Sequence, residues 1–349
     1  VRFLVFKGRH FDRSVILLCV RWYLAHNLSL RDAKEMMTER GLTIDHSTIH
    51  RWIIHYSLRL LELFNRRKRK RAASRKWHVD ETYIKVRGTW MYLYRAIDSG
   101  GCHVNGRVGM GMPSRNYEHT DRELQANRFP PQIIAHAVWL HFRFPLSLRL
   151  AEEMLLERGV VVSYETIRRW AMKFGPDYAR RARRNAPSRL DIWYLDEVVI
   201  TINGEKRYLW QAVDHEGYVL DEIVQIHRNT KAARRLLTRL LRKQGCAPKR
   251  IITDKLGSYA AARRELMSKV EHRQHKRLNN RAENSHVPIR RRERMMQGFR
   301  SWPGLPRFVS TFSAVRNHFV PSHTQRSALS THLRRLSAMM QWKSVTGAA

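Results

Sequence analysis

Apolar residues recur with helical spacing from about Gln132 to Phe174 and with strand spacing from Ile192, and that change divides this part of the chain. From Gln132 to Arg143 the apolar residues Ile133, Ile134, Ala137, Val138 and Leu140 follow helical spacing, and Pro145 ends the run. Leu148–Arg158 keeps that spacing, with Leu148, Ala151, Met154 and Leu155 on one face, Ser147 as N-cap and Gly159 as C-cap. After an extended VVV turn, Ser163 caps a third helix predicted over Tyr164–Phe174. Ile167 and Trp170 of that helix point inward, leaving Arg168, Arg169 and Lys173 outward. Three short helices joined through a glycine turn suggest a helix-turn-helix, with a turn longer than the tightest form.

From Ile192 the period shortens to that of strands. Ile192–Ile202 runs to an Asn203–Gly204 hairpin turn and returns as Tyr208–Asp214; His215–Gly217 turns again into Tyr218–Ile226. Lys231–Gln244 then shows a helical apolar face of Ala232, Leu236, Leu237, Leu240 and Leu241. A short buried-looking strand, RIIT, ends on Asp254; a helix follows from about Ser258, then a strand at Val270–Arg273 and a polar segment, RLNNRAENSH, that contains Glu283. An amphipathic helix around Leu305–Phe319 and a polar, basic tail close the chain, with dimerisation and DNA binding both open as roles.

Within this pattern the first strand, IWYLDEVVI, is unusual in carrying Asp196 and Glu197 in an apolar, β-branched run. A carboxylate in a buried strand needs a cation, and a divalent metal is the leading candidate. Side-chain alternation places Asp196, Val198 and Ile200 on one face and Leu195, Glu197 and Val199 on the other, so one acid alone is expected to enter a cleft.

The same words occur earlier. SLRDAKEMMTERG (Ser29–Gly41) matches SLRLAEEMLLERG (Ser147–Gly159), and STIHRW matches ETIRRW. WHVDETYIKVRG and YLYRAID match WYLDEVVITING and YLWQAVD, which sets Asp80 against Asp196. The first copy stops near Asp98, and the polar, Gly-containing junction 99–127 reads as a linker. Met112 is read as an original start, and the chain as a truncated copy fused to a complete one; a true tandem arrangement is the alternative. In the first copy Ile49 and Trp52 are expected inward, with His50, Arg51 and His55 outward.

Lys plus Arg number 66 against 30 Asp plus Glu, a formal charge of +36. Self-repulsion on that scale opposes compaction unless a polyanion shares the surface, so nucleic acid is the expected partner ahead of an anionic membrane or mere solubility. The basic runs RRKRKR (Arg66–Arg71) and RRARR (Arg180, Arg181, Arg183, Arg184) follow the two helical segments, where phosphate contact is expected. Cys19, Cys102 and Cys246 are isolated, which disfavours a disulfide framework and a cysteine zinc site. His272, His275 and His286 are accordingly read as DNA-contacting or structural residues and not as zinc ligands. There is no signal segment and no apolar run of the roughly 18 residues a membrane helix needs, so a cytoplasmic location is expected.

The strand order, together with YLDE, ITDKLGSY and EHRQHKRLNNRAENSH, resembles the DDE transposases of short bacterial insertion sequences, in particular the cointegrate-forming group that often flanks resistance genes. The resemblance covers Phe129–Phe319, and about Phe6 to Asp98 in the truncated copy. It implies an α+β or α/β chain in which a helix-turn-helix unit precedes a ribonuclease-H-like domain with a mixed sheet and flanking helices. The implied organisation is a truncated copy at 1–98 (helix-turn-helix about 28–57, partial strands 77–98), a linker at 99–127, and a helix-turn-helix domain at 128–175. A basic linker at 176–190, a catalytic domain at 191–300 and a C-terminal helix and tail at 301–349 complete it.

The resemblance also implies Asp196, Asp254 and Glu283 as a metal-binding triad, with Arg290 as the basic residue two turns after the glutamate. It leaves Glu197 on the other face as the partner of a nearby arginine. The interval from Asp254 to Glu283 is shorter than the family's usual one, and Pro288 is expected to kink the helix between Glu283 and Arg290. Implied with the triad are Mg²⁺ (or Mn²⁺) and two-metal phosphodiester chemistry, with ions about 3.5–4 Å apart. Double-stranded DNA, as terminal inverted repeats and target, is the implied substrate, within a homodimer or larger synaptic complex at the bacterial nucleoid. The competing expectation is an inactive relic that binds DNA as a repressor, because the first copy has no counterpart of Asp254 or Glu283.

Overall fold

The structure is a computed structural model, and it describes residues 11–26, 28–68, 77–86, 89–98, 129–184, 192–254, 256–275, 278–300, 302, 304–319 and 327–347. The expected linker 99–127 and residues 185–190 lie outside these. The chain forms two compact units, one of residues 1–34 and 44–124, the other of 35–43 and 125–349.

In the first unit, α1 (Arg13–Ala25) is capped by Asp12, whose Oδ1 accepts the Ser14 N–H at 2.7 Å. It packs through Ile16, Cys19, Val20 and Trp22 with α3 (His46–Lys68), which buries Ile49, Trp52, Ile53 and Tyr56. Between them in sequence, α2 (Leu30–Glu39) opens on a reciprocal Ser29–Asp32 capping pair. His50 and Arg51 are exposed as expected, while His55 is half-buried. β1 (Trp77–Val86) and β2 (Thr89–Asp98) form an antiparallel two-stranded sheet with Asp80 opposite Arg95.

The second unit begins with α4 (Pro131–Arg143), α5 (Leu148–Leu156) and α6 (Tyr164–Arg184). The expected caps form: Ser147 Oγ accepts the Leu150 N–H at 3.2 Å, Ser163 Oγ accepts that of Thr166 at 3.3 Å, and Gly159 adopts a φ of +76°. α6 is longer than predicted. It runs through Pro176 to Arg184, so Arg180–Arg184 is helix and not linker. Pro176 removes one backbone hydrogen bond, but Tyr178, Ala179 and Ala182 bury an apolar stripe beyond it, which outweighs the loss.

The sheet follows as β3 (Ile192–Ile202), β4 (Glu205–Asp214), β5 (Val219–Gln225), α7 (Thr230–Gln244), β6 (Arg250–Thr253), α8 (Gly257–Leu266), β7 (Glu271–Gln274) and α9 (Asn280–Met295). Its spatial order is β5-β4-β3-β6-β7, with β3-β4-β5 an antiparallel meander and β6 and β7 added in parallel. That is the ribonuclease-H-like topology. Asn203 and Gly204 both take positive φ in the β3–β4 turn, which the Asn-Gly pair permits.

β3 is buried on both faces. Trp193 and Leu195 pack with Trp210, Ala212, Ile223 and Ile251 against Leu236, Leu237 and Leu240 of α7 and Tyr259 of α8. On the opposite face Tyr194, Val213 and Ile252 pack with Ala282 of α9. α9 runs as one helix across Pro288, and buried Ser285, His286, Ile289 and Arg292 on either side of the proline hold it to the unit. α10 (Leu305–Phe319) forms as predicted, and the expected polar tail contains a further helix, α11 (Ala328–Thr346), which buries Ala338, Met339 and Trp342. Among the described residues no helix is long and apolar enough to cross a membrane.

Candidate active site

Two parallel strands bring the first two acids together. β3 pairs with β6 from Ile192↔Arg250 to Leu195↔Thr253, and there β6 ends. Asp196 is the next residue on β3, and Asp254 is the first beyond β6. Asp196, in the middle of β3, therefore lies beside Asp254, just past the carboxyl end of β6. Leu256 N–H donates to Asp254 Oδ1 at 3.0 Å, and this local turn fixes the side chain as the chain leaves the sheet.

Glu197 belongs to the same cluster: one carboxylate oxygen from each of Asp196, Glu197 and Asp254 lies within 4.8 Å of the others. This corrects the expectation that only one acid of the doublet reaches the cleft. The pleat does separate them, with Glu197 on the α7–α8 face and Asp196 on the α9 face. But β6 stops one residue short of Asp196, so on that side of β3 no strand divides the two faces beyond Thr253, and Asp254 meets acids from both. The expected arginine partner of Glu197 is present. Arg228, just before α7, donates from Nε to Glu197 Oε1 at 2.5 Å and from Nη2 to Asp254 Oδ2 at 3.3 Å. Tyr259 OH donates to Glu197 Oε2 at 2.9 Å.

Burial raises the Glu197 carboxyl to about 7; the Tyr259 hydrogen bond and Arg228 pull it down, while Asp254 and Asp196 push it further up. The Tyr259 hydroxyl is held well above its ordinary value by burial and by the adjacent Glu197. On the α9 side His286, only 5% exposed, places Nε2 3.2 Å from Asp196 Oδ2, and neither ring nitrogen makes a hydrogen bond. His272, by contrast, meets Thr253 Oγ1 at 2.9 Å.

Glu283 is not brought into this cluster. It sits exposed in the first turn of α9, a helix whose start is pinned by buried Asn279, whose Nδ2 donates to Leu195 O at 3.0 Å. Glu283, the expected third acid, lies one helical turn after Asn279, while Glu197 closes the cluster. Arg290 is exposed on the same helix.

On α6, Arg168 lies along the surface, donating to Glu165 Oε2 at 2.8 Å and Oε1 at 2.6 Å. Arg169 is 74% exposed, and Lys173 Nζ lies 5.2 Å from the Phe174 ring centroid. Arg180 and Arg181 both pair with Asp177. Arg183 and Arg184 fall in the last turn of α6, and their side chains lie outside the described ones. The residues the sequence did not single out are Arg228, Tyr259 and Asn279. Tyr259 stands inside ITDKLGSY, but only the fold shows that it reaches Glu197.

The family model described as DDE domain, of the IS240 transposase type, matches residues 74–125 and 191–322. The chain belongs to the DDE transposase family. The match takes in both DE-bearing strands, β1 with Asp80 and β3 with Asp196. Among similar proteins, the transposase for insertion sequence-like element IS431mec of Staphylococcus aureus strain Mu50 is 44% identical over 96 residues, 28% of this chain and 42% of that protein. The Staphylococcus aureus transposase for insertion sequence element IS257 in transposon Tn4003 is 43% identical over the same shares. The chain thus spans about four-tenths of the length of these curated relatives. Among solved structures, the HTLV-2 integrase catalytic core domain in complex with magnesium is 16% identical with a TM-score of 0.31, over 42% of this chain and 99% of that one.

Proposed function

We propose that this DDE family member cleaves and joins DNA strands at the ends of an insertion sequence, in a reaction that depends on a divalent metal, Mg²⁺ or in its place Mn²⁺. The observation that carries the reading is the convergence of Asp196 and Glu197, from the middle of β3, with Asp254, just past the end of β6. The donor set fits a hard cation: carboxylate oxygens from two separate elements, within reach of one another, on a scaffold held by buried Asn279 and Tyr259. Asp196 and Asp254 are the proposed ligands, with Glu283 joining from α9 and Arg290 facing the phosphate backbone from the same helix. Bound metal supplies Lewis-acid stabilisation of the attacking and leaving oxygens of the phosphodiester.

This chain's own residues orient that chemistry. Asp254 is fixed through Oδ1 by the Leu256 amide, so Oδ2 faces the cluster. His286 backs Asp196 from the α9 side. Arg168, Arg169 and Lys173 on the outer face of α6, with Arg180, Arg181, Arg183 and Arg184 a few turns on, are the proposed contacts to double-stranded terminal repeats. Target DNA is the second substrate, a dimer or larger synaptic assembly is the working form, and the bacterial nucleoid is its location.

The test is strand transfer of a labelled duplex carrying the element's own terminal repeat, in Mg²⁺, with Asp254→Asn as control. Joined products that appear in Mg²⁺, vanish with chelator and vanish in Asp254→Asn are expected. Repeat-specific binding with no metal-dependent cleavage would instead establish the chain as a DNA-binding relic.

A further inference from the structure

Arg228 contacts the acid cluster from the solvent side. Its side chain is 44% exposed, whereas that of Glu197 beneath it is 2% exposed. The two carboxylates it touches are held in different ways. Glu197 has both oxygens engaged by side chains, Oε1 by Arg228 and Oε2 by Tyr259. Asp254 has one oxygen fixed by a backbone amide and the other, Oδ2, met by Arg228 at 3.3 Å, the longer of the two arms. The base of Arg228 is itself fixed, because the next residue, Asn229, caps α7 by accepting the Ala232 N–H at 3.0 Å. Asp196, on the other side, pairs with no arginine among the described residues; its neighbour is His286.

We infer that Arg228 is an exchangeable counter-ion of Asp254: it holds Oδ2 until a divalent cation takes that oxygen, and it stays tethered to Glu197 when it lets go. The inference rests on the metal reading proposed above. A guanidinium and a divalent ion repel, so occupation of Asp254 Oδ2 by either weakens the hold of the other. The long arm to Asp254 is the one that breaks, because the Glu197 contact uses both Nε and Nη2 and is backed by the buried Tyr259 hydroxyl. Glu197 therefore serves as a positioning residue, the anchor for Arg228, and Asp196 and Asp254 are the pair left to the ion.

The experiment is Mn²⁺ binding to the full chain without DNA, followed by the loss of the free-ion electron paramagnetic resonance signal, for wild type, Arg228→Gln, Arg228→Lys and Asp254→Asn. Removing a competing charge next to a ligand should tighten Mn²⁺ binding by about tenfold in Arg228→Gln. Arg228→Lys, whose single ammonium cannot bridge two carboxylates, should fall between Arg228→Gln and wild type. Asp254→Asn should abolish the site. Unchanged or weaker binding in both Arg228 variants, with wild-type circular dichroism and Mn²⁺ still bound by wild type, overturns the inference and leaves the metal reading intact. No Mn²⁺ binding by any form overturns both.

Discussion

The chain carries nearly the same strand twice, and the two copies have different surroundings. WHVDETYI forms β1, which among the described residues pairs only with β2 and sets Asp80 opposite Arg95 in register. WYLDEVVI forms β3, the centre of five strands, with Asp196 opposite Gln211 and Asp254 delivered by the parallel neighbour β6. A carboxylate on a strand is by itself only a charge. It becomes part of a site only when a second strand ends beside it and helices bury both faces of the sheet.

The sharpest way to break this comparison is to remove the acids one at a time. Asp254→Asn and Asp196→Asn should each lower strand transfer by about a thousandfold or more, because each removes a proposed ligand of the metal that would stabilise the reacting oxygens. Asp80→Asn should leave activity within about twofold of wild type, since β1 has no β6 counterpart among the described residues. A large loss in Asp80→Asn, measured in the same gel assay, would mean that the first copy contributes to catalysis.

Packing separates the copies next. Leu236 of α7 is fully buried against the β3–β4 face, so Leu236→Ala should cost about 2–5 kcal/mol in urea unfolding of the second unit. For the pH dependence, the buried Glu197 titrates near 7, above its ordinary value of 4.5. Its contribution to stability is fully present below about pH 4.5 and is lost as pH rises through about 7, because between those values the folded state binds the extra proton. In chelator, Glu197→Gln should flatten that fall, by at most about 3 kcal/mol between pH 5 and pH 8. Parallel stability curves for the two proteins would place the titration elsewhere.

The smallest effects belong to the helical faces. Arg169→Ala on α6 should weaken binding to a terminal-repeat duplex by about tenfold and reduce its salt dependence by about one counter-ion. Arg51→Ala, at the matching position of α3, should change it by less than about threefold. Equal losses would show that both helical units read DNA.

Much of this was legible in the residues. The Asn203–Gly204 turn fixed the β3–β4 register, Ser147, Ser163 and Gly159 marked the helix ends, and alternation gave the two faces of β3. These are local matters of φ, capping and side-chain period, which a sequence encodes within a few positions. Where it misled, distant packing decided: the third helix was expected to end at Phe174, yet buried Tyr178, Ala179 and Ala182 carry α6 on to Arg184.

The site divides along the same line. Asp196 and Asp254 were readable as acids at strand positions, and the family resemblance joined them to Glu283. Only the fold shows that β6 stops one residue short of Asp196, and that single fact lets Glu197 into the cluster from the opposite face. Arg228 and Tyr259 carry no sequence signal for their role, because hydrogen bonds made across 31 and 62 residues of chain exist only once the sheet has closed. The sequence determined which strand would bear the carboxylates. Tertiary structure decided which of them meet, since meeting depends on where the neighbouring strand ends.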